Sequence, residues 1–98
     1  MKEHELKTWP SGFNAIAAGL KRYELRKDDR GFEVGDRLKL QEYDPQRGRY
    51  TRRWLMARVT YISRAGGEFA GLQEGFVVMG IKPLRKLFGR LVQQERRW

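Results

Sequence analysis

Hydrophobic and polar positions change period several times along this chain, and each change marks an element. His4-Glu5-Leu6-Lys7-Thr8 reads as a short first strand with Leu6 turned inward. Trp9-Pro10-Ser11 interrupts it, and proline suits the first turn of a helix, where its missing N–H is not needed. Phe13, Ile16, Ala17 and Leu20 then recur at i, i+3, i+4 and i+7, one face of a helix, and Gly19 offers a natural stop. From Lys21 the period falls to two. Tyr23 and Leu25 alternate with Arg22, Glu24 and Arg26, as in a strand.

Lys27-Asp28-Asp29-Arg30-Gly31 is a charged loop, and Phe32 to Asp36 ends in a turn signal. Arg37 to Tyr43 alternates strictly and predicts a strand, followed by the turn formers Asp44 to Arg49. Trp54 to Ser63 reads as a long strand with room for a bulge, and Trp54 is expected in the core. After the Gly-rich stretch 65–68, the run Phe76 to Ile81 predicts a buried last strand. From Pro83 the period returns to that of a helix, with Leu84, Leu87, Phe88, Leu91 and Val92 on one face. The order is strand, helix, four strands, helix. Consecutive antiparallel strands joined by Gly-rich turns are expected, and they favour an α+β, mostly β fold, a small mixed barrel, over a parallel α/β sheet. Residues 1–82 form the barrel and 83–98 a basic amphipathic extension.

Composition narrows the chemistry. The chain has 98 residues, enough for one core. It has no cysteine and a single histidine, His4, which excludes disulfides, thiolate zinc sites and a Ser-His-Asp triad in its body. No metal and no cofactor are expected. No apolar run reaches the length of a membrane span and no secretory pattern follows Met1, so the expected location is cytoplasmic, without an integral membrane partner.

The net charge of +9 is unevenly placed. Residues 1–44 are balanced. Residues 45–64 carry six arginines (Arg47, Arg49, Arg52, Arg53, Arg58 and Arg64) and no acid. Arginine pairs with phosphate through a planar fork, so a polyanion-binding face is expected, with nucleic acid, above all RNA, as the partner. Interleaved Tyr50 supplies a ring for stacking bases beside Arg47, Arg49, Arg52 and Arg53. The plainer role for these charges is a solvated surface.

Gly19-Leu20-Lys21-Arg22-Tyr23-Glu24-Leu25-Arg26 has the form G-x-K-x-x-E-x-R and falls where a helix gives way to a strand. This resembles the signature of the ASCH domain, a branch of the PUA-like β-barrel superfamily. Val34-Gly35-Asp36, Gln41 to Asp44 and Gly71 to Ile81 extend the resemblance to a subgroup of small ASCH-related bacterial and phage proteins of unknown function. The resemblance covers roughly residues 4–82. It implies a PUA-like barrel with a cleft beside the helix, and a ligand that is RNA, a nucleotide or a modified nucleoside. Lys21, Glu24 and Arg26 would line that cleft, with Lys7, Trp9 and Tyr43 as further contacts.

An alternative is a small hydrolase, an amidohydrolase on a modified nucleoside or a ribonuclease, with Lys21 and Glu24 catalytic. Glu24 stands where the ASCH amidohydrolases carry a threonine, so a lysine–threonine mechanism does not carry over. A carboxylate can itself serve as nucleophile or general base. Glu74 lies near a further acid of those enzymes, but Gln73-Glu74-Gly75 is an ordinary turn sequence. A third reading is an interaction protein that docks through its C-terminal helix on a partner or anionic membrane.

Overall fold

Alternation and turn chemistry set the elements of the computed structural model, which describes residues 1–66 and 69–84. Strand β1 is Glu3–Thr8, helix α1 Pro10–Ala17, β2 Tyr23–Lys27, β3 Arg37–Asp44, β4 Arg49–Arg64 and β5 Phe76–Pro83. The protein is mostly β, with one short helix among the described residues. The predicted C-terminal helix lies outside the described residues apart from Pro83, which ends β5, and Leu84. Among the described residues no helix is long and apolar enough to cross a membrane.

The five strands form one sheet in the order β1-β3-β4-β5-β2. Only β3–β4 and β4–β5 are the consecutive antiparallel pairs expected from the sequence; β2 pairs antiparallel with β5, and β1 runs parallel to β3, because helix α1 and β2 intervene between them in the chain. β2 and β3 are consecutive yet lie far apart in the sheet, because the 28–36 connection crosses between them. Phe32 anchors that crossing. It is fully buried, and burying a phenylalanine is worth roughly 1.5–3 kcal/mol.

The sheet curls into a half-barrel, so its edge strands β1 and β2 approach each other. They meet through side chains. Arg26 of β2 donates to the Lys7 carbonyl, and Arg30 donates to the Glu5 carbonyl at 2.7 Å. Inward residues of the strands (Leu6, Leu38, Leu40, Leu55, Val59, Val77, Met79 and Ile81) pack with Phe13, Ile16 and Ala17 of α1.

The structure departs from the pattern of the sequence in several places. Leu20 is not on the buried helix face. The helix ends at Ala17, Gly19 turns the chain at φ +79°, and Leu20 is 83% exposed. β2 starts at Tyr23 rather than Lys21, so Lys21 sits in the connection. β4 starts at Arg49, five residues before Trp54. Trp54 is half-buried under the Lys39 ammonium, 5.0 Å from its ring, instead of lying in the core.

A bulge interrupts the β3–β4 ladder. Gln41 pairs with Trp54 but Tyr43 with Tyr50, so Thr51, Arg52 and Arg53 together oppose the single residue Glu42. Arg52 adopts φ +75°, a conformation that costs an L-residue about 1–2 kcal/mol. Bulges of this kind re-aim side chains.

Candidate functional site

Strand parity builds a polar cluster at one end of the core. On β1 the inward residues are His4, Leu6 and Thr8, and on β3 they are Leu38, Leu40 and Glu42. Thr8 lies opposite Glu42. Glu24 is the inward residue of β2. Thr8, Glu24 and Glu42 are each at least nine-tenths buried.

Glu24 is held by two cations from its own segment. Lys21 Nζ donates to Oε1 at 3.1 Å, and Arg26 Nε donates to Oε2 at 2.8 Å. Because Lys21 precedes the strand, the alternation of β2 does not turn it away from Glu24. Its ammonium also lies over the first turn of α1. A Cβ on Gly12 would sit 3.6 Å from Lys21 Nζ and 3.9 Å from Thr8 Cγ2. Trp9, the N-cap, offers no side-chain acceptor. Ser11 and Gly12 lie in the first turn, so their N–H groups have no intrahelical partner.

Glu42 sits on the other side. Its Oε1 accepts from Thr51 Oγ1 at 2.6 Å and lies 3.1 Å from Arg53 Nε. That second contact is an ion pair without a hydrogen bond, since the Nε–H is not aimed at the carboxylate. Arg53 Nη2 donates to Asn14 Oδ1 of α1 at 2.6 Å, and the guanidinium lies 5.2 Å from the Phe13 ring. The bulge at Arg52 is what brings Thr51 and Arg53 together on Glu42. Thr8 Oγ1 is buried and has no hydrogen-bond partner among the described residues.

The basic hairpin adjoins this cluster. Asp44 Oδ1 accepts from the Gln46 and Arg47 N–H groups and fixes the turn. Asp44, Arg47, Arg49, Tyr50, Thr51 and Arg52 line a concavity of about 430 Å³. Tyr50 packs edge-on against Tyr43 at 5.1 Å, and the Lys7 ammonium stands 4.1 Å from the Tyr43 ring. Among the described residues Arg49 and Arg52 form no ion pair, and Arg47 has only Asp44 at 3.6 Å.

The expected site residues thus fall into separate groups. Lys21, Glu24 and Arg26 converge. Arg47, Arg49, Tyr50 and Arg52 line the concavity, Lys7 and Tyr43 flank it, and Trp9 stands 61% exposed at the head of α1. Arg53 leaves the arginine group and turns onto Glu42 and Asn14. Sequence reasoning missed Glu42, Thr8, Thr51 and Asn14. The signal for two of them was present: Glu42 continues the parity of Leu38 and Leu40, and Thr8 that of Leu6. Asp29 pairs with Arg30 at 3.6 Å, and Glu74 is an exposed turn residue. Among the described residues no cluster of His, Asp or Glu is arranged to hold a metal.

Chemically, two carboxylates face three cations, and the Lys21 ammonium has only one acceptor among its described neighbours. This suits capture of a polar or anionic group. Both oxygens of Glu24 are engaged, which leaves little for a nucleophile.

Comparison with known proteins adds lineage without chemistry. A family model described as a domain of unknown function, DUF3850, matches residues 3–81. The "uncharacterized 12.9 kDa protein in GpA 3′ region" of Escherichia phage P2 is 40% identical over 62 residues, 63% of this chain and 55% of the phage protein. The chain therefore spans about half the length of that curated relative.

Proposed function

Since the chain belongs to the DUF3850 family, a domain of unknown function, its role has to come from the site, and we propose that it binds single-stranded nucleic acid, RNA first. Phosphates sit on the arginine hairpin, and one nucleotide enters the cleft beside α1. The observation that carries this is the position of Thr51. It lines the hairpin concavity and bonds Glu42 of the cleft, so the basic surface and the polar cleft share a wall. Arg49 and Arg52, which form no ion pair among the described residues, take phosphates, and Tyr50 offers a ring for an adjacent base. Lys21 takes a polar or anionic group of the nucleotide that enters.

The half-barrel with a helix after its first strand, and the convergence of Lys21, Glu24 and Arg26, support an ASCH-type, PUA-like assignment. That assignment is part of the proposal.

Fluorescence anisotropy tests it, with a labelled single-stranded RNA titrated at several salt concentrations. Wild type should bind with affinity that falls steeply with salt. Arg49→Ala with Arg52→Ala should lower the slope by roughly 0.7 for each lost phosphate contact. Lys21→Ala should weaken binding while leaving the slope from the hairpin in place. No binding at about 0.15 M salt would remove the nucleic-acid reading. A single-stranded DNA of the same sequence separates RNA from DNA.

A further inference from the structure

The outer face of β2, β5 and β4 is laid out in cross-strand rows. Arg58 lies opposite Lys82. Tyr61, Gly80 and Tyr23 form the next row, then Ser63, Val78 and Leu25, and finally Phe76 with Lys27. Directly opposed residues of antiparallel strands point to the same face. The intervening residues Val77, Met79 and Ile81 are buried on the other side. Tyr23 is 50% exposed, Tyr61 63% and Leu25 53%.

Gly80 forms the floor between the two tyrosines. β4 bulges here, so Thr60 and Tyr61 share Gly80 as their partner. A Cβ on Gly80 would lie 3.0 Å from Thr60 Oγ1. Glycine therefore keeps the row open and leaves the Thr60 hydroxyl beside it. Strands about 4.8 Å apart place the tyrosine Cα atoms roughly 10 Å from each other, wide enough for a planar group between rings that lean over the glycine. Tyr23 is also 5.1 Å from the Lys21 ammonium, at the border of the cleft.

We propose that this face is a second nucleic-acid contact, a stacking platform for unpaired bases. Tyr23 and Tyr61 stack the bases, Thr60 offers a hydrogen-bonding hydroxyl, and Arg58, Lys82 and Lys27 take phosphates. Charge selects this ligand over a protein surface. Every charged residue in these rows is a cation, and among the described residues no acid shares them. The proposal rests on the chain binding single-stranded nucleic acid, but through residues separate from the hairpin and the Glu24–Glu42 cleft.

Photocrosslinking and anisotropy on the full chain test it, with a bromouridine-containing RNA of about 16 nucleotides. Tyr61→Ala should weaken binding about tenfold, the lower part of the effect of losing one stacked base. Tyr61→Phe, which keeps the ring, should stay within about twofold of wild type. Both side chains face outward, and circular dichroism verifies that the variants fold. Crosslinks should map to Tyr23 or Tyr61 and persist when Arg49 and Arg52 are alanine.

If Tyr61→Ala binds like wild type and crosslinks fall only on the hairpin, the platform is overturned and the hairpin reading stands. If crosslinks and full affinity survive loss of Arg49 and Arg52, the platform stands and the hairpin reading falls. If wild type binds no RNA, both fall. If Tyr61→Ala leaves RNA affinity unchanged but alters the sedimentation of the protein, the face packs on protein and the proposal is overturned.

Discussion

The two ends of the half-barrel interior both bury a carboxylate, and they treat it in opposite ways. At one end Asp36 is fully buried and accepts three hydrogen bonds, from His4 Nε2 at 2.9 Å and from the Lys2 and Glu33 N–H groups at 3.0 Å each. His4 Nε2 is the donor there, because an ionised carboxylate only accepts. At the other end Glu24 and Glu42 are met by Lys21, Arg26 and Arg53, whose side chains remain 25%, 25% and 38% exposed. The first end is sealed by its own backbone. The second is closed by long cations that reach water and can trade a carboxylate for a ligand. Asp36 is held by a buried histidine and two main-chain N–H groups, Glu24 and Glu42 by the partly exposed ends of long cations, and the proposed site follows the second arrangement.

The largest test of that contrast is Asp36→Ala. Three donors lose their acceptor and a fully buried side chain leaves a void, so a loss of about 3 kcal/mol is expected in urea denaturation. Nucleic-acid affinity of the folded fraction should not change. A loss below about 1 kcal/mol would show that this end is not a staple.

Glu42→Ala should cost less, about 1–2 kcal/mol, since Arg53 and Thr51 can turn to water. It should nonetheless weaken ligand binding about tenfold. A variant that loses stability like Asp36→Ala but keeps its affinity would erase the distinction.

Arg52→Gly sharpens the same contrast from the functional side. Glycine adopts φ +75° without strain, so stability should rise by about 1 kcal/mol. The salt slope of RNA binding should fall by roughly 0.7. Thermal melts and the salt titration read the two effects separately.

The smallest test is pH. Burial alone would raise the Asp36 carboxyl, but the hydrogen bond from His4 and those from the Lys2 and Glu33 N–H groups outweigh it and hold it below its ordinary value. Its stabilisation is therefore complete above the unfolded value of about 3.9 and disappears as pH falls through the lower folded value. Asp36→Asn should flatten that acid leg of the stability curve. An unchanged acid leg would assign it to other carboxylates.

What the sequence could show depended on whether the signal was local. The strict alternation of Arg37 to Tyr43 and the helical spacing of Phe13, Ile16 and Ala17 were legible because each concerns one element. Leu20 misled because helix length is set by the turn at Gly19, and an exposed leucine fits the spacing as well as a buried one does. The pairing of β1 with β3 and the distant place of β2 are non-local and left no trace in the periodicity. Lys21, Glu24 and Arg26 were legible as neighbours in sequence. Glu42 with Thr51, Arg53 and Asn14 was not, because it depends on a bulge that alternation cannot express. Arg52 at positive φ carries no residue-type signal of the kind glycine gives.

Arg26 and Arg30, where β1 and β2 meet, also protect the molecule from its own kind. A half-barrel ends in two bare strand edges, and a bare edge invites a stranger's backbone to extend the sheet into an aggregate. On β1 the outward carbonyls of Glu5 and Lys7 are already taken by guanidinium groups. An intruding strand would have to displace two charged forks before it could align. The protein thus guards its seam against unwanted polymerisation with side chains, using a residue that also holds the buried Glu24 in place.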